Sequence, residues 1–306
     1  MDRFYEMQIF VTVAQEDGFA AAARRLGISP PTVTRAIASI EQRLGTQLLT
    51  RTTRSLHLSE AGQRYLEDCR RILSELEEAE VAAAGSHGVP SGSLTLTAPM
   101  LFGELYVAPV LVEYMNQYPA VRLNALLVDR LVNMAEEGVD VAVRIGHLPE
   151  GVYKAVKVGQ VRQVVCAAPG YLQRHGRPRH PAELETANVV LSSASTLLSD
   201  WQFVHQGSAI HVRPTPQLVV TDNKAAINVA RLGWGVTRVL SYQVASLLAS
   251  GELEVLLADF EPPALPIHVV YPQNHQVSAK VRTFVDFLAS HLAQHPLLHT
   301  APIERR

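Results

Sequence analysis

The sequence lacks the residues and runs that mark several classes of protein. Cysteine occurs only twice in 306 residues, as Cys69 and Cys166, which gives no disulfide framework and fits a reducing compartment. No apolar run approaches the roughly 18 residues that a membrane span needs. The N-terminal segment MDRFYEMQIF has no basic region followed by an apolar run, unlike a secretory signal. We therefore expect a cytoplasmic protein without membrane contact.

Catalytic signatures are lacking as well. The chain contains no G-x-S-x-G, P-loop, G-x-G-x-x-G or C-x-x-C motif. His291, His295 and His299 recur at intervals of four, as metal ligands on a helix can, but Pro296 interrupts any helix there. We expect no enzyme, and no catalytic residue, cofactor or metal site.

Charge of both signs is present but unevenly placed. The net charge is −2, yet the segment from Phe19 to Leu58 holds six arginines and one acid, Glu41, a local charge of +5. From Ser59 to Ala84 seven acids face three arginines, which gives −4. A basic block of this kind is typical of nucleic-acid contact, although on charge alone a solvated basic face is an alternative.

The apolar pattern of the basic region predicts three helices. A first helix carries Ile9, Phe10 and Val13, and the alanine-rich FAAAARRLG forms a second that stops at Gly27. In the third helix, PPTVTRAIASIEQRLG, Ser29 is the expected N-cap and Pro30 the first helical residue. Its apolar stripe consists of Val33, Ile37, Ile40 and Leu44.

The opposite face of the third helix presents polar side chains, as the recognition helix of a helix-turn-helix does. The segment LLTRTTRSLHLSEAG then predicts two short strands about a turn at Thr52–Ser55, which form a wing. Outward groups of the helix can reach base edges, and arginines of the wing can contact the DNA backbone or minor groove. The residues expected to contact DNA are Ser29, Pro31, Thr32, Thr34, Arg35, Ser39, Arg51 and Arg54.

Ser59-Glu60-Ala61-Gly62 opens a long acidic helix with a narrow apolar seam. The seam repeats every 3.5 residues for nearly three heptads, a period typical of helix pairs. Its residues are Tyr65, Cys69, Ile72, Leu76, Ala79 and Ala83. We expect dimerisation through this seam, with packing against the same chain's DNA-binding unit as the alternative. Cys69 is expected to be a small buried apolar residue.

After a Gly/Ser/Pro-rich segment at residues 85–92, strand and helix patterns alternate. LTLTA, VRLNALLV and VDVAVRI are predicted strands, with helices over Gly103–Tyr118 and Leu131–Glu137 between them. This order implies a mostly parallel sheet with helices on both faces. A second lobe is expected to begin near Gln163, and the chain to return to the first lobe with PIHVVYP and a helix over Ser278–Gln294. A cleft between two such lobes is the usual place for a small ligand.

The stretch from Ile9 to Leu66 resembles the LysR-type family of transcriptional regulators, in register and without gaps. The residues that carry this resemblance are Phe10, Val13, Ala14, Phe19, Ala22, Ala23, Leu26, Ser29, Val33, Ile37, Glu41, Leu44, Gly45, Leu48, Arg51, Leu58, Ala61 and Gly62. Gly18, Thr34, Leu49 and Ser59 depart from the family pattern. Pro30 stands where the family often has a glutamine, so the family's base readout does not transfer at that position.

The resemblance implies an α+β multidomain fold: a winged helix-turn-helix (residues 1–58), a linker helix (59–84), a hinge (85–92) and an effector-binding domain (93–306). The last domain would be a two-lobed α/β unit similar to periplasmic binding proteins, with lobe I at about 93–161 and 266–294 and lobe II at about 162–265. The implied partners are double-stranded DNA with dyad symmetry, a small organic effector such as an aromatic or aliphatic acid, and a second copy in a homodimer or homotetramer. RNA polymerase is a further candidate, and the nucleoid is the implied location.

By position in the resembling fold, the cleft should be lined by the ends of several strands. The expected effector-binding residues are Pro99, Met100, Leu101, Phe102, Arg144, Gly146, Ser192, Ser193, Ser195, Thr221, Asp222 and Thr237. Many family members place a Ser or Thr at a helix N-terminus after the first strand, where it binds an effector carboxylate, but Met100 and Leu101 stand there in this chain. Backbone N–H groups or Arg144 could replace it. For Arg144, an ion pair with a residue such as Asp129 is the structural alternative.

Three other functions compete with an effector-controlled regulator. A solute-binding protein would leave the N-terminal 90 or so residues unexplained. A redox-responsive regulator of the same family needs an accessible cysteine of low pKa, which the apolar settings of Cys69 and Cys166 disfavour. An effector-independent regulator remains a further alternative.

Overall fold

The computed structural model describes residues 2–16, 18–51, 56–83, 89–149, 151, 153–193, 200–273 and 278–299. The chain forms two compact units, Met1–Gly88 and Val89–Arg306. The elements of the first unit are α1 (Arg3–Gln15), α2 (Phe19–Leu26), α3 (Pro30–Leu44), β1 (Leu49–Arg51), β2 (Leu56–Leu58) and α4 (Glu60–Ala83). β1 and β2 pair as an antiparallel hairpin.

The first unit has its own apolar core at the crossing of α1, α2 and α3. Ile9, Val13, Ala22, Val33 and Ile40 are fully buried there. α2 and α3 end at Gly27 and Gly45, which adopt left-handed φ angles of 66° and 67° that glycine tolerates without strain. The predicted stripe of α3 is buried except for its last member, because Leu44 lies at the end of the helix and is 43% exposed.

The start of α4 is fixed against the chain that leads into the wing. The Ser59 hydroxyl donates to the carbonyl oxygen of Gln47 at 2.7 Å and accepts from the Gly62 N–H at 3.0 Å, so Ser59 caps the helix. A β-carbon at Gly62 would lie 2.0 Å from the carbonyl oxygen of Leu48. Only glycine therefore lets the helix approach this strand so closely.

The second unit contains eighteen helices and strands among its described residues. They are β3 (Gly92–Ala98), α5 (Met100–Phe102), α6 (Ala108–Gln117), β4 (Val121–Leu127), β5 (Val141–Ile145), β6 (Tyr153–Val161), β7 (Gln163–Ala167), α7 (Pro169–His175), β8 (Val190–Ser192), β9 (Trp201–His205), β10 (Ser208–Val212), β11 (Leu218–Val220), α8 (Asn223–Arg231), β12 (Val236–Leu240), α9 (Ala245–Ala249), β13 (Glu254–Leu256), β14 (Leu265–Pro272) and α10 (Ala279–Gln294). A π-helical segment, Gly103–Val107, joins α5 to α6. Short 3₁₀ turns lie at Pro181–Glu185, Ser241–Gln243, Ala258–Phe260 and Pro296–Leu298.

Two sheets organise the second unit. A five-stranded sheet has the order β4-β3-β5-β14-β6, and a three-stranded sheet has the order β12-β7-β13. β8 pairs with β11 and β9 with β10 beside them. The chain leaves the five-stranded sheet after β6 and returns to it with β14, so two crossings connect the sheets.

The expected parallel arrangement is confirmed for β3, β4 and β5, the strands from which it was predicted, but it does not extend to the other strands of the two sheets. β3 runs parallel to β4 and β5, but β14 is antiparallel to β5 and β6, and both neighbours of β7 are antiparallel to it. The returning strand enters from the second sheet in the opposite direction, which strand-helix alternation alone does not reveal. β6 was not predicted, because Lys154 and Lys157 interrupt the apolar alternation.

The helix expected over Leu131–Glu137 is absent from the described residues. These residues form turns, in which the Asn133 side chain accepts from the Ala135 N–H at 3.2 Å and the Glu137 carboxylate accepts from the Asn133 N–H at 3.1 Å. Such side-chain bonds compete with helical backbone bonds. The segment 241–250 is divided into the 3₁₀ turn Ser241–Gln243 and α9. In the described part of the chain no helix is both long and apolar enough to cross a membrane.

Candidate functional site

The outer face of α3 is the candidate nucleic-acid interface. Pro31, Thr34 and Arg35 are exposed and Thr32 is half-buried, on the side opposite the buried Val33. The Thr34 hydroxyl donates to the Pro30 carbonyl oxygen at 3.2 Å, and Arg35 Nε donates to that of Pro31 at 3.4 Å. These long bonds leave the Arg35 guanidinium at the surface, available to an acceptor such as a base edge.

Ser29 precedes α3 but does not cap it through its side chain. Its hydroxyl lies 2.8 Å from the Thr32 hydroxyl, and both groups are at the helix N-terminus. The helix instead begins with the backbone carbonyl of Ser29, which accepts from the Thr32 N–H at 2.9 Å. Ser29 is therefore the N-cap residue, as predicted, but its side chain makes no capping hydrogen bond. The hydroxyls of Ser29 and Thr32 together form one polar surface.

Ser39 is directed into the protein rather than outward. It is half-buried, and its hydroxyl hydrogen-bonds the carboxylate of the buried Glu6. The expected DNA contact of Ser39 is therefore corrected to a structural role between α3 and α1. The helical pattern of α3 could not reveal this role, because Glu6 is distant from Ser39 in the sequence and meets it only in the folded chain.

The wing follows α3 through a turn fixed by Glu41. One carboxylate oxygen of Glu41 accepts from the N–H groups of Leu48 and Leu49, at 2.8 and 3.2 Å. The single acid of the basic segment is thus used in these internal hydrogen bonds, which fix the start of the wing. Arg51 is the last residue of β1, and Arg54 lies outside the described residues.

The apolar seam of α4 is divided between two environments. The Tyr65 ring lies 5.4 Å from that of Phe10 between centroids, and Cys69 is fully buried in the first unit's core. Dimerisation through Cys69 is therefore wrong, because its own chain already covers it. Ile72 and Leu76 are half-buried further along the helix, and the side chains of Ala79 and Ala83 lie outside the described residues.

A cavity of about 300 Å³ lies in the second unit where the two sheets face each other. One wall comes from the ends of β3 and β5 and from the loop after β4, and the other from β8, β9 and β12. The wall mixes apolar side chains with few charges, as small-ligand sites do. The lining residues are Thr97, Ala98, Pro99, Val128, Asp129, Arg130, Leu131, Val143, Arg144, Ile145, Gln163, Leu191, Ser192, Trp201, Asn223, Arg238, Val239, Leu240, Tyr242, Gln243 and Leu265.

The structure brings three of the predicted effector residues into this wall: Pro99, Arg144 and Ser192. The others lie elsewhere among the described residues, except Ser195, which is outside them. Leu101 and Phe102 are buried in the core, where Phe102 meets the Tyr242 ring edge-on at 5.3 Å, and Met100 is exposed outside the cavity lining. Helical geometry after Pro99 turns these three side chains away from the strand end.

The second wall also differs from the prediction. Thr237 is only 1% exposed and lies opposite Cys166 in the sheet, while its neighbour Arg238 lines the cavity. Asp222 caps α8 by accepting from the Ala225 N–H at 2.7 Å. Ser193 and Thr221 are exposed and lie outside the cavity lining. Gly146 also lies outside the lining; it is half-buried, and its N–H donates to the Pro266 carbonyl oxygen.

Arg144 lies on β5 with its side chain half-buried. Its Nη2 donates to the carbonyl oxygen of Val132, and burial lowers the pKa of its guanidinium. The alternative ion pair with Asp129 is not formed. Asp129 instead accepts from the Met100 N–H at 2.9 Å and from Asn223 Nδ2 at 3.4 Å.

Arg238, which sequence reasoning missed, is the second cation of the cavity. Its Nη2 donates to Gln163 Oε1 and to the Gln202 carbonyl oxygen, both at 2.8 Å. Its guanidinium carbon lies 5.2 and 5.8 Å from the ring centres of Phe203 and Trp201. Burial lowers its pKa to about 10, with Asp200 opposing the shift, so the group stays charged at neutral pH.

No group of three or more His, Cys, Asp or Glu forms a metal site in the part of the chain that the structure describes. The cavity lining offers hydrogen-bonding groups, three arginine side chains and apolar contact. Such an arrangement can bind an organic anion.

Two protein-family models match this chain, one mainly in each of its two compact units. Residues 4–63 match the family described as bacterial regulatory helix-turn-helix protein, lysR family, and residues 87–293 match the LysR substrate binding domain. An HTH-type transcriptional regulator of Xanthomonas campestris pv. campestris (strain 8004) is 36% identical over 288 residues, which cover 93% of this chain and 84% of that protein.

A second relative and a solved structure span the same length. The HTH-type transcriptional regulator DmlR of Escherichia coli (strain K12) is 32% identical over 291 residues, 95% of this chain and 94% of that protein. The structure of CrgA, a LysR-type transcriptional regulator from Neisseria meningitidis, superposes with a TM-score of 0.61 at 28% identity and covers 95% of this chain and 99% of that one.

Proposed function

Because this chain belongs to the LysR family of DNA-binding transcriptional regulators, we propose that it binds operators of imperfect dyad symmetry and responds to a small organic acid. The acid binds in the cavity of the second unit. The observation that carries this proposal is the half-buried Arg144, which faces a largely apolar cavity and has no ion pair within the described residues.

On the DNA side, α3 and the wing divide the work. Thr32, Thr34 and Arg35 lie on the face that would enter the major groove, together with Ser29 and Pro31. Arg51 and Arg54 of the wing would hold phosphates, which supplies affinity without sequence preference. The location is then the nucleoid in the cytoplasm, and RNA polymerase is a proposed further partner.

Dyad symmetry in the operator requires two copies of α3, and we assign the pairing to the distal half of α4. Ile72 and Leu76 are half-buried on a helix whose opposite face is charged. This apolar strip would be covered by the same strip of a second copy in a dimer or tetramer.

An acid in the cavity would act by favouring one arrangement of the two sheets. One contact already joins opposite walls, from Asn223 Nδ2 to Asp129 at 3.4 Å, and a second lies outside the lining, from Lys224 Nζ to Glu104 at 3.3 Å. A ligand alters regulation only as far as its affinity differs between conformations. Effector affinity and the change in operator affinity should therefore vary together.

A redox-responsive regulator is less well supported. Both cysteines are fully buried, and burial raises the pKa of Cys69 to about 11 and that of Cys166 to about 12. Redox-sensing thiols need a lowered pKa and access to oxidant. A redox mechanism through these cysteines would also leave the cavity of the second unit without a role.

The roles on the DNA side are tested with variants measured by fluorescence anisotropy on an operator selected from genomic fragments and on a random duplex. Arg35→Ala and Thr32→Ala should reduce the preference for the operator by about 1–3 kcal/mol each. Arg51→Ala should weaken both duplexes alike, and Arg213→Ala, an exposed arginine of the second unit, should change neither. Equal losses on both duplexes for all three variants of the first unit would contradict this division.

The effector role is tested by adding organic acids to the same operator assay. Arg144→Ala should abolish the response to an acid while operator binding without the acid survives. If calorimetry shows that this variant binds the responsive acid as tightly as the wild type, Arg144 is structural and the acid-binding part of the proposal fails.

A further inference from the structure

The cavity holds two guanidinium groups that come from different sheets. Arg144 extends from β5 of the five-stranded sheet, and Arg238 from β12 of the three-stranded sheet. A third lining arginine, Arg130, is exposed and already pairs with Glu137. Asp129 is the only acid among the lining residues that the structure describes, so this lining carries excess positive charge at two separate points.

The Asp129 carboxylate already occupies a position where a ligand anion could otherwise bind, at the start of α5. It accepts from the Met100 N–H at 2.9 Å, which is the first N–H of the helical segment after β3. A ligand carboxylate placed there would meet a carboxylate instead of a free donor. Anionic groups of a ligand are therefore directed to the arginines.

The donors of Arg238 are incompletely used. Nη2 is bonded to Gln163 and Gln202, but Nε and Nη1 are buried without a hydrogen-bond partner among the described residues. Asp200 lies near enough to act on this charge, yet within the described part of the chain its Oδ1 is buried without a hydrogen bond and its Oδ2 bonds His211 at 3.1 Å. Unpaired buried donors of a cation are costly, and an anion beside them would recover that cost.

We propose that the effector is a dianion, with an acidic group at each end, which spans the cavity from Arg144 to Arg238. This inference rests on the proposed effector function of the cavity and names its ligand class. One carboxylate binds each guanidinium, so the ligand joins the two sheets. The apolar residues between them, such as Val143, Leu191, Val239 and Leu265, suit a short hydrocarbon middle.

This geometry gives the dianion a regulatory effect that a monoanion lacks. A monocarboxylate can satisfy one arginine and leaves the other sheet unconstrained. A dicarboxylate of matching length draws the two sheets together, because each of its ends is held by a different sheet. The affinity of the second end also benefits from the first, since the second contact is intramolecular.

Trp201 provides a direct reporter of binding. It lines the cavity beside Arg238 and is 1% exposed, and the only other tryptophan is Trp234. In full-length protein carrying Trp234→Phe, Trp201 emission is titrated with succinate, glutarate and adipate. The matched monocarboxylates of equal chain length are butyrate, valerate and hexanoate.

At least one dicarboxylate should bind about tenfold or more tightly than its matched monocarboxylate. Arg238→Gln and Arg144→Gln should each remove this preference, while Arg213→Gln, exposed outside the cavity, should keep it. Thermal unfolding of each variant checks that it is folded. The wild-type comparison of diacids with monoacids stands without any variant.

Equal affinity of matched diacids and monoacids in the wild-type cavity would overturn this inference, as would a preference that survives in folded Arg238→Gln. Binding of none of the six acids would overturn it too. A response of operator binding to a monoanion or an uncharged molecule in the cavity would overturn the dianion while the effector function stands. Operator binding that responds to no small molecule contradicts the effector function itself.

Discussion

Among single residues, Glu6 shows how a buried charge is held in the first unit. Its carboxylate is 1% exposed and accepts from Arg43 Nη1 at 2.6 Å and from the Ser39 hydroxyl. Burial alone would raise the pKa of Glu6, but the bonds from Arg43 and Ser39 and the charge of Arg43 outweigh it and lower the pKa. The pair connects α1 to α3.

We expect Glu6→Gln to lower the free energy of unfolding by about 2 kcal/mol at neutral pH, since it weakens charge-assisted hydrogen bonds of a buried group. A carboxylate whose folded pKa is lowered stabilises the fold fully above its unfolded pKa, near 4.5, and loses that contribution as pH falls through the folded value. The difference between wild type and Glu6→Gln should therefore shrink below about pH 4.

Urea unfolding followed by circular dichroism at several pH values measures this difference. The control is Glu60→Gln, whose pair with Arg64 is exposed on both sides and should contribute less than about 0.5 kcal/mol. A difference that stays constant from neutral to acidic pH would show that the Glu6 charge is not what stabilises the contact.

The sequence predicts individual site residues only where they lie near the end of a strand at the cleft. Arg144 and Ser192 lie near such strand ends and line the cavity. On β12 the prediction is Thr237, which is buried opposite Cys166, whereas the next residues, Arg238, Val239 and Leu240, line the cavity. Trp201 was missed because its contact with Arg238 joins strands remote in sequence.

Among the elements, α3 was predictable and the segment Leu131–Glu137 was not. The 3.6-residue period of α3 sets its buried and exposed faces by local geometry alone. In the other segment, bonds from Asn133 and Glu137 side chains replace helical bonds, and Val132 and Met134 are buried by tertiary contacts. The spacing of apolar residues in the sequence does not predict such contacts.

The element α4 combines intrachain and intermolecular roles along its length. Its first turns pack on α1 through Tyr65 and Cys69, and the half-buried Leu76 lies two turns further. Leu76→Glu should reduce the oligomer to a smaller species and weaken operator binding at the same time, because an unpaired charge cannot remain in an apolar interface. Multi-angle light scattering and anisotropy measure the two effects.

Arg70→Glu introduces the same charge on the exposed face of α4 and should leave the assembly unchanged. An unchanged molar mass for Leu76→Glu would place the distal seam in intrachain packing.

At the scale of the whole molecule, the chain consists of two units with separate cores. The cavity is built entirely from residues of the second unit. We expect residues 89–306 alone to fold and to show the same thermal stabilisation by an effector acid as the full chain, since ligand binding shifts stability by its affinity. They should not bind the operator. Differential scanning fluorimetry with and without the acid tests this expectation, and loss of the thermal shift in the isolated unit would contradict it.

Gly62 has a consequence for how such a regulator can change over generations. Any side chain there would collide with the Leu48 carbonyl, whose chain leads directly into the wing. The base of α4 and the base of the wing therefore cannot be altered one at a time. We expect a lineage that adjusts the spacing between its proposed operator half-sites to do so beyond this point, in the distal helix, and to keep glycine at position 62.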